Sequence, residues 1–264
     1  MRQFLETCEK AARAGGQVLL DWQGKIMARE KGPKDLVTEA DLASQRVIQQ
    51  TLLSVFPDHR FVGEEDGLGN EDQQSRHDGY CWICDPLDGT TNYVHQLPSF
   101  CVSIALRHDD ELLVGVVFDP TSNECFSAVS GEGAFLNGQP IRVSDCTEMP
   151  KALVAVSLPP EIEREAPEIG QFLDVLVSSQ ALRRMGSAAL NLSYLAAGRL
   201  DGYWASDTKI WDVAAGVLLV QEAGGEVSAS RGGQFQLGAP GLLAASTCEL
   251  SQELIALVTS TRGG

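Results

Sequence analysis

Asp85 and Asp88 stand three residues apart in the string Trp82-Ile83-Cys84-Asp85-Pro86-Leu87-Asp88-Gly89-Thr90-Thr91-Asn92. Two further acidic signals flank it, Gly63-Glu64-Glu65 upstream and Trp211-Asp212 downstream. Carboxylates brought together repel one another unless cations or protons compensate them. All-oxygen sets of this kind suit hard divalent ions, Mg²⁺ above all. Within the string, Asp85 and Asp88 can converge on a metal pair, and the Leu87 carbonyl between them can serve as a third oxygen ligand. Gly89 lets the chain approach a phosphate with no Cβ in the way. Thr90 and Thr91 can offer N–H and hydroxyl groups. Carboxylates beside backbone donors suggest metal-assisted phosphoryl chemistry.

Each signal also has a plainer reading. Asp-Pro and Asp-Gly are common turn dipeptides. Glu64 and Glu65 alone would be solvated loop residues; beside the Asp pair, Glu64 becomes a candidate to bridge a metal and a nucleophilic water. An Asp opening a helix, as Asp212 does, is ordinarily a cap or a dipole partner. Asp41 closes Thr38-Glu39-Ala40-Asp41, the form of a capping box, and needs no function to explain it. Cys81-x-x-Cys84 could be a redox pair or half a zinc site. Strand residues at i and i+3 face opposite ways, however, and no second such pair exists, so both cysteines read as core. Of the four histidines, only His95 follows the acidic loop closely enough to approach a substrate.

The elements that must position these residues follow from periodicity. Residues 4–20 read as an amphipathic helix, and a second helix runs from the capping box to Pro57. A strand at 60–62 delivers Glu64, and 66–79 reads as a polar surface loop. Residues 80–84 read as a buried strand ending in a turn at Asp85, followed by an antiparallel meander with an Asn137-Gly138 hairpin signal. After about residue 145 strands and helices alternate. The elements read as α+β with a layered α/β second half. An α+β half, 1–145, carries Glu64 and the Asp85–Asn92 loop, and an α/β half, 146–264, carries Asp212.

The chain has 264 residues, is 44% hydrophobic and carries a formal net charge of −16, so it should repel nucleic acid and anionic membranes. An anionic substrate would need metal cations to bring it in. The start of the chain lacks the pattern of a secretion signal, and its longest apolar runs are too short to span a bilayer. Seven scattered cysteines then read as reduced thiols of a cytoplasmic protein.

With Gly63-Glu64-Glu65, Asp85 to Asn92, Trp211-Asp212-Val213-Ala214-Ala215-Gly216, Gly224-Gly225 and Leu36-Val37-Thr38 to Asp41, the chain resembles the inositol monophosphatase family of Mg²⁺-dependent, lithium-sensitive phosphatases. The resemblance implies a layered αβαβα sandwich as the fold, and that Glu64, Asp85, the Leu87 carbonyl, Asp88 and Asp212 ligate two or three Mg²⁺. It implies that Glu64 and Thr90 activate a water with Asp41 behind Thr90, and that Gly89 and Thr90 hold phosphate oxygens. Asp88, Arg183, Ala188, Ala205 and Asp212 would line the substrate pocket. Ala205 stands where members favouring inositol phosphates typically carry an acidic residue. The expected activity is hydrolysis of a small-molecule phosphate, inositol 1-phosphate or a related polyol monophosphate first. The same chemistry on 3′-phosphoadenosine 5′-phosphate, histidinol phosphate or fructose 1,6-bisphosphate is the alternative; a nucleotide would call for a base-binding wall near Ala205, from Trp204 and Lys209. A non-catalytic binding protein and a thiol redox protein are the readings from other classes. Family likeness also implies a homodimer.

Overall fold

The computed structural model describes residues 1–25, 29–32, 35–66 and 79–260. Most of the loop expected at 66–79 lies outside them, as do the side chains of Leu36 and Val37.

The chain opens with α1 (Arg2–Trp22), an antiparallel pair β1 (Arg29–Gly32) and β2 (Asp35–Val37), and α2 (Glu39–Val55). The β1–β2 pair falls where only a polar stretch was expected. The capping box is present: the Thr38 N–H donates to Asp41 Oδ2 at 2.9 Å, and Thr38 Oγ1 accepts from the Ala40 N–H at 3.1 Å. Seven strands follow: β3 (Arg60–Gly63), β4 (Tyr80–Asp88), β5 (Cys101–His108), β6 (Glu111–Asp119), β7 (Glu124–Val129), β8 (Gly133–Leu136) and β9 (Gln139–Ile141). They form one sheet in sequence order, with β3 parallel to β4 and every other neighbour antiparallel. A short helix, α3 (Thr90–Val94), leaves the end of β4.

The remainder alternates: β10 (Leu153–Ser157), α4 (Pro167–Ser178), β11 (Ala181–Arg183), α5 (Ala188–Ala196), β12 (Gly202–Ala205), α6 (Ile210–Glu222), β13 (Glu226–Ala229), β14 (Leu242–Ala245) and α7 (Cys248–Thr259). Its five strands form a mixed sheet in the order β11-β10-β12-β14-β13.

Period-two alternation builds the layers. Trp82 and Cys84 of β4, with Val102, Ile104 and Leu106 of β5, face α1 and α2. Cys81, Ile83, Cys101 and Ala105 face the other way, onto α5 and α6. Ala155, Tyr203, Ala205, Leu242 and Ala244 of the five-stranded sheet cover the far side of those helices. Val154, Val156, Trp204 and Leu243 point outward to α4 and α7. The result is the expected αβαβα sandwich. α6 is apolar on nearly every side, as a helix between two sheets must be. It sits close on β6: a Cβ at Gly115 would stand 2.8 Å from the Ala215 carbonyl oxygen.

One element differs from the sequence reading. β4 does not end at Asp85; it continues to Asp88 through a bulge. Asp85 pairs with Ser103 and Asp88 with Cys101, so three steps on β4 match two on β5. Pro86 is the physical reason: it has no N–H to give the ladder, and within a sheet it is tolerated at such an irregularity.

Candidate active site

The bulge aims the acidic string. Asp85 Oδ1 accepts the Leu87 N–H at 2.9 Å, closing a tight turn inside the strand. Gly89 then turns the chain with φ +96°, where a Cβ would stand 2.9 Å from the Ser99 carbonyl oxygen. It caps the start of α3, whose first N–H groups have no partner within the helix. The Thr90 hydroxyl lies 3.1 Å from the Leu87 carbonyl oxygen and 3.5 Å from Asp41 Oδ1. Asp41, fully buried, therefore both closes its capping box and backs Thr90.

Glu64 opens a 3-10 turn (Glu64–Asp66) directly after β3. Because β3 runs parallel to β4 with Gly63 opposite Cys84, Glu64 arrives level with Asp85. The turn is held by Gln45 of α2, which donates to Asp66 Oδ1 at 2.8 Å and accepts the Glu65 N–H at 3.0 Å. Asp212 comes from the middle layer. It is the third residue of α6 and not its first, and its Oδ2 accepts the Lys209 N–H at 2.8 Å. This is the same backward reach that Asp41 makes to Thr38.

Glu64, Asp85, Leu87, Asp88, Gly89, Thr90 and Asp212 all line one cleft of about 250 Å³, together with Pro160 and Gly186. Four elements, the 3-10 turn, β4, α3 and α6, meet there with two loops from the second half of the chain. A neighbouring chamber of about 640 Å³ shares Asp88, Thr91 and Asp212 with it. Ala188 lines that chamber with Arg184, Asp207 and Thr208. Two expected pocket residues lie elsewhere. Arg183 is exposed on β11, with Nη1 on the Leu182 carbonyl at 3.1 Å, and its neighbour Arg184 is the one that reaches the chamber. Ala205 is fully buried against the middle layer, because β12 alternates and its small side chain ends in the core. The loop beyond it brings Asp207 and Thr208 instead. Trp204 points to the outer layer, so it cannot wall a base site, and among the described residues no aromatic side chain lines the chamber.

The electrostatics are those of crowded anions. Burial pushes the Asp85 carboxyl well above the usual carboxylate range, and the charges of Glu64, Asp88 and Asp212 push it further. Burial does the same to Asp212, opposed first by the Lys209 N–H. For Asp88 burial raises the pKa, while the Ser187 hydroxyl and the Ala189 N–H act against it. Among the described residues no three acidic, His or Cys side chains stand ready-converged around one point. Asp85, Asp88 and Asp212 each turn one oxygen to a protein donor. An anionic, buried, all-oxygen set with mutual repulsion fits a hard divalent cation, which would relieve it.

The thiol pair does not contribute. Cys81 faces the middle layer and Cys84 the helices, both are buried, and burial raises both thiols. Two partners escaped the sequence reading. Gln45 reads as an ordinary helix residue. Asn92 clamps the Ser99 and Met185 carbonyls, each at 2.7 Å, which no spacing signals. Ser187 donates its hydroxyl to Asp88 Oδ2 at 2.6 Å.

Comparison with known proteins agrees with this geometry. The model of the inositol monophosphatase family matches residues 1–262. Inositol monophosphatase 2 of Solanum lycopersicum is 41% identical over 243 residues, 90% of this chain and 92% of that protein. Nus factor SuhB of Pasteurella multocida is 40% identical over 251 residues, covering 93% and 92%. The solved inositol monophosphatase of Anabaena superposes with a TM-score of 0.85 at 38% identity, covering 97% of this chain and 95% of that one. The carboxylate cleft thus lies in a chain that belongs to the inositol monophosphatase family, metal-dependent phosphatases of small phosphate substrates.

Proposed function

We propose that the chain is a Mg²⁺-dependent phosphomonoesterase whose substrate is inositol 1-phosphate or a related polyol monophosphate. The observation that carries the reading is the convergence of Glu64, Asp85, Asp88 and Asp212 on one cleft beside the Gly89–Thr90 backbone. Four carboxylates match the charge of two Mg²⁺. Glu64, Asp85, Asp88, Asp212 and the Leu87 carbonyl would hold two or three such ions. When bound, Mg²⁺ makes water more acidic and stabilises the charge of an in-line phosphoryl displacement.

The chain's own groups supply position and proton handling. Glu64 and the Thr90 hydroxyl orient the attacking water and take its proton, with Asp41 holding Thr90 from behind. The N–H groups of Gly89 and Thr90 receive phosphate oxygens. Most of the catalysis is positioning and electrostatics. The adjoining chamber favours a hydroxyl-bearing leaving group: Asp207 and Thr208 offer acceptors, and among the described residues a nucleobase would find no aromatic face to stack on.

Phosphate release tests the reading. Inositol 1-phosphate, glycerol 2-phosphate, 3′-phosphoadenosine 5′-phosphate, histidinol phosphate and fructose 1,6-bisphosphate would each be offered with Mg²⁺ and with Mg²⁺ chelated. The expected result is Mg²⁺-dependent release, fastest from a polyol monophosphate. Preference for the adenosine compound would overturn the polyol assignment, and release unchanged by chelation would overturn the metal assignment.

A further inference from the structure

Asp85 and Asp212 each bond a backbone N–H within three residues. Asp88 is held differently. Its Oδ2 accepts the Ser187 hydroxyl at 2.6 Å and the Ala189 N–H at 2.7 Å, from about a hundred residues away. Ser187 is fully buried. Its Oγ also accepts the Leu190 N–H at 3.1 Å, which makes it the N-cap of α5. A hydroxyl has one proton to give. The cap uses a lone pair, so that proton remains for the carboxylate. Two short donors on one oxygen fix the orientation of the Asp88 side chain and fasten β4 to α5.

The segment carrying Ser187 is itself seated. Asn92 Nδ2 donates to the Met185 carbonyl at 2.7 Å and to the Ser99 carbonyl at 2.7 Å. Gly186 has φ +85°, and a Cβ there would stand 2.9 Å from Asn92 Nδ2. Asn92 belongs to α3, immediately after the acidic string, so the string and the 185–187 segment are locked together on both sides of Asp88.

We propose that Ser187 is a positioning residue for Asp88, seated by Asn92, and that this latch sets how strongly the cleft binds its divalent cation. The inference rests on the metal reading above. Groups that orient a metal ligand typically change affinity by about 10–100-fold when lost.

The test is calorimetric titration of the whole protein with Mg²⁺, without substrate, beside a thermal melt of each variant. Ser187→Ala should weaken binding by roughly 10–100-fold, and Ser187→Thr, which keeps the hydroxyl, should restore most of it. Asn92→Ala should weaken binding in the same sense. The double variant should lose less than the product of the two single losses, because both act through one bond. Thr247→Ala is the control: Thr247 caps α7 by the same kind of bond, accepting the Leu250 N–H at 3.2 Å, and lines neither the cleft nor the chamber. It should lower the melting temperature and leave Mg²⁺ affinity unchanged. Wild-type affinity in Ser187→Ala, or an equal loss in Thr247→Ala, would overturn the latch. Should Ser187→Ala not fold, unchanged affinity in Asn92→Ala overturns it equally. Absence of Mg²⁺ binding by the wild type is a separate failure, that of the metal reading, and the latch falls with it.

Discussion

At the scale of single residues, the cleft is destabilised by the charges that make it useful. Asp85 and Asp212 have pKa values raised well above ordinary, chiefly by burial. For an acid with a raised folded pKa, the folded state binds the proton more tightly than the unfolded one. Stability therefore falls as pH rises from the unfolded value, about 3.9 for Asp, toward the folded one. An amide cannot ionise and escapes that loss. Asp85→Asn is therefore expected to raise the melting temperature of the metal-free protein at neutral pH and to flatten its acid-to-neutral decline, as read by thermal melts across pH. The same variant, and Asp212→Asn, should lose at least about 10²-fold in Mg²⁺-dependent phosphate release, comparable with deleting one preorganised electrostatic group elsewhere. Wild-type turnover in either would remove that side chain from the metal set.

At the scale of elements, the cleft depends on how close α6 lies to the seven-stranded sheet. Gly115 of β6 faces the Ala215 backbone, which cannot swing aside as a flexible side chain can. Gly115→Val must push α6 outward. Overpacking of this kind costs about 1–3 kcal/mol, and here the displaced helix carries Asp212. The expected outcome is a lower midpoint in a urea titration together with weaker Mg²⁺ binding. A loss of stability with unchanged affinity would show that α6 can shift without moving its first turn. The β4 bulge is the other decisive element. It turns two side chains that strict alternation would place on opposite faces, Asp85 and Asp88, toward one cleft.

At the scale of the molecule, five layers bury nearly every sequence feature that could have supported another chemistry. Cys8, Cys81, Cys84, Cys101 and Cys125 are buried, Cys146 is partly covered and Cys248 is exposed. Burial raises the pKa of the five buried thiols, which keeps them protonated and unreactive. Thiol titration of the native protein should therefore show at most two fast groups, Cys248 and Cys146, and all seven only after unfolding. Rapid reaction of Cys81 and Cys84 together would reopen the redox reading. Among the described residues no helix is long and apolar enough to cross a membrane, in keeping with the sequence.

The sequence by itself determined the family and the carboxylate-rich string at its centre. Asp85-Pro86-Leu87-Asp88-Gly89-Thr90-Thr91 packs carboxylates and the proposed phosphate donors into one short run, and short runs are legible because the chain holds their members together whatever the fold. Period-two and helical patterns likewise marked out most of the helices and strands, since each face's burial is written in its side chains. Only the tertiary structure decided what joins residues far apart. It brought Glu64 and Asp212 to the Asp85 string, put Gln45, Asn92 and Ser187 behind them, and drew the chamber wall from Arg184, Asp207 and Thr208 where Arg183 and Ala205 were expected. A one-residue shift along a strand or its flanking loop reverses which side chain reaches a cavity, and local pattern does not fix that register. Hydrogen bonds across about a hundred residues leave no local mark in the sequence, because Ser, Asn and Gln carry no periodicity of their own.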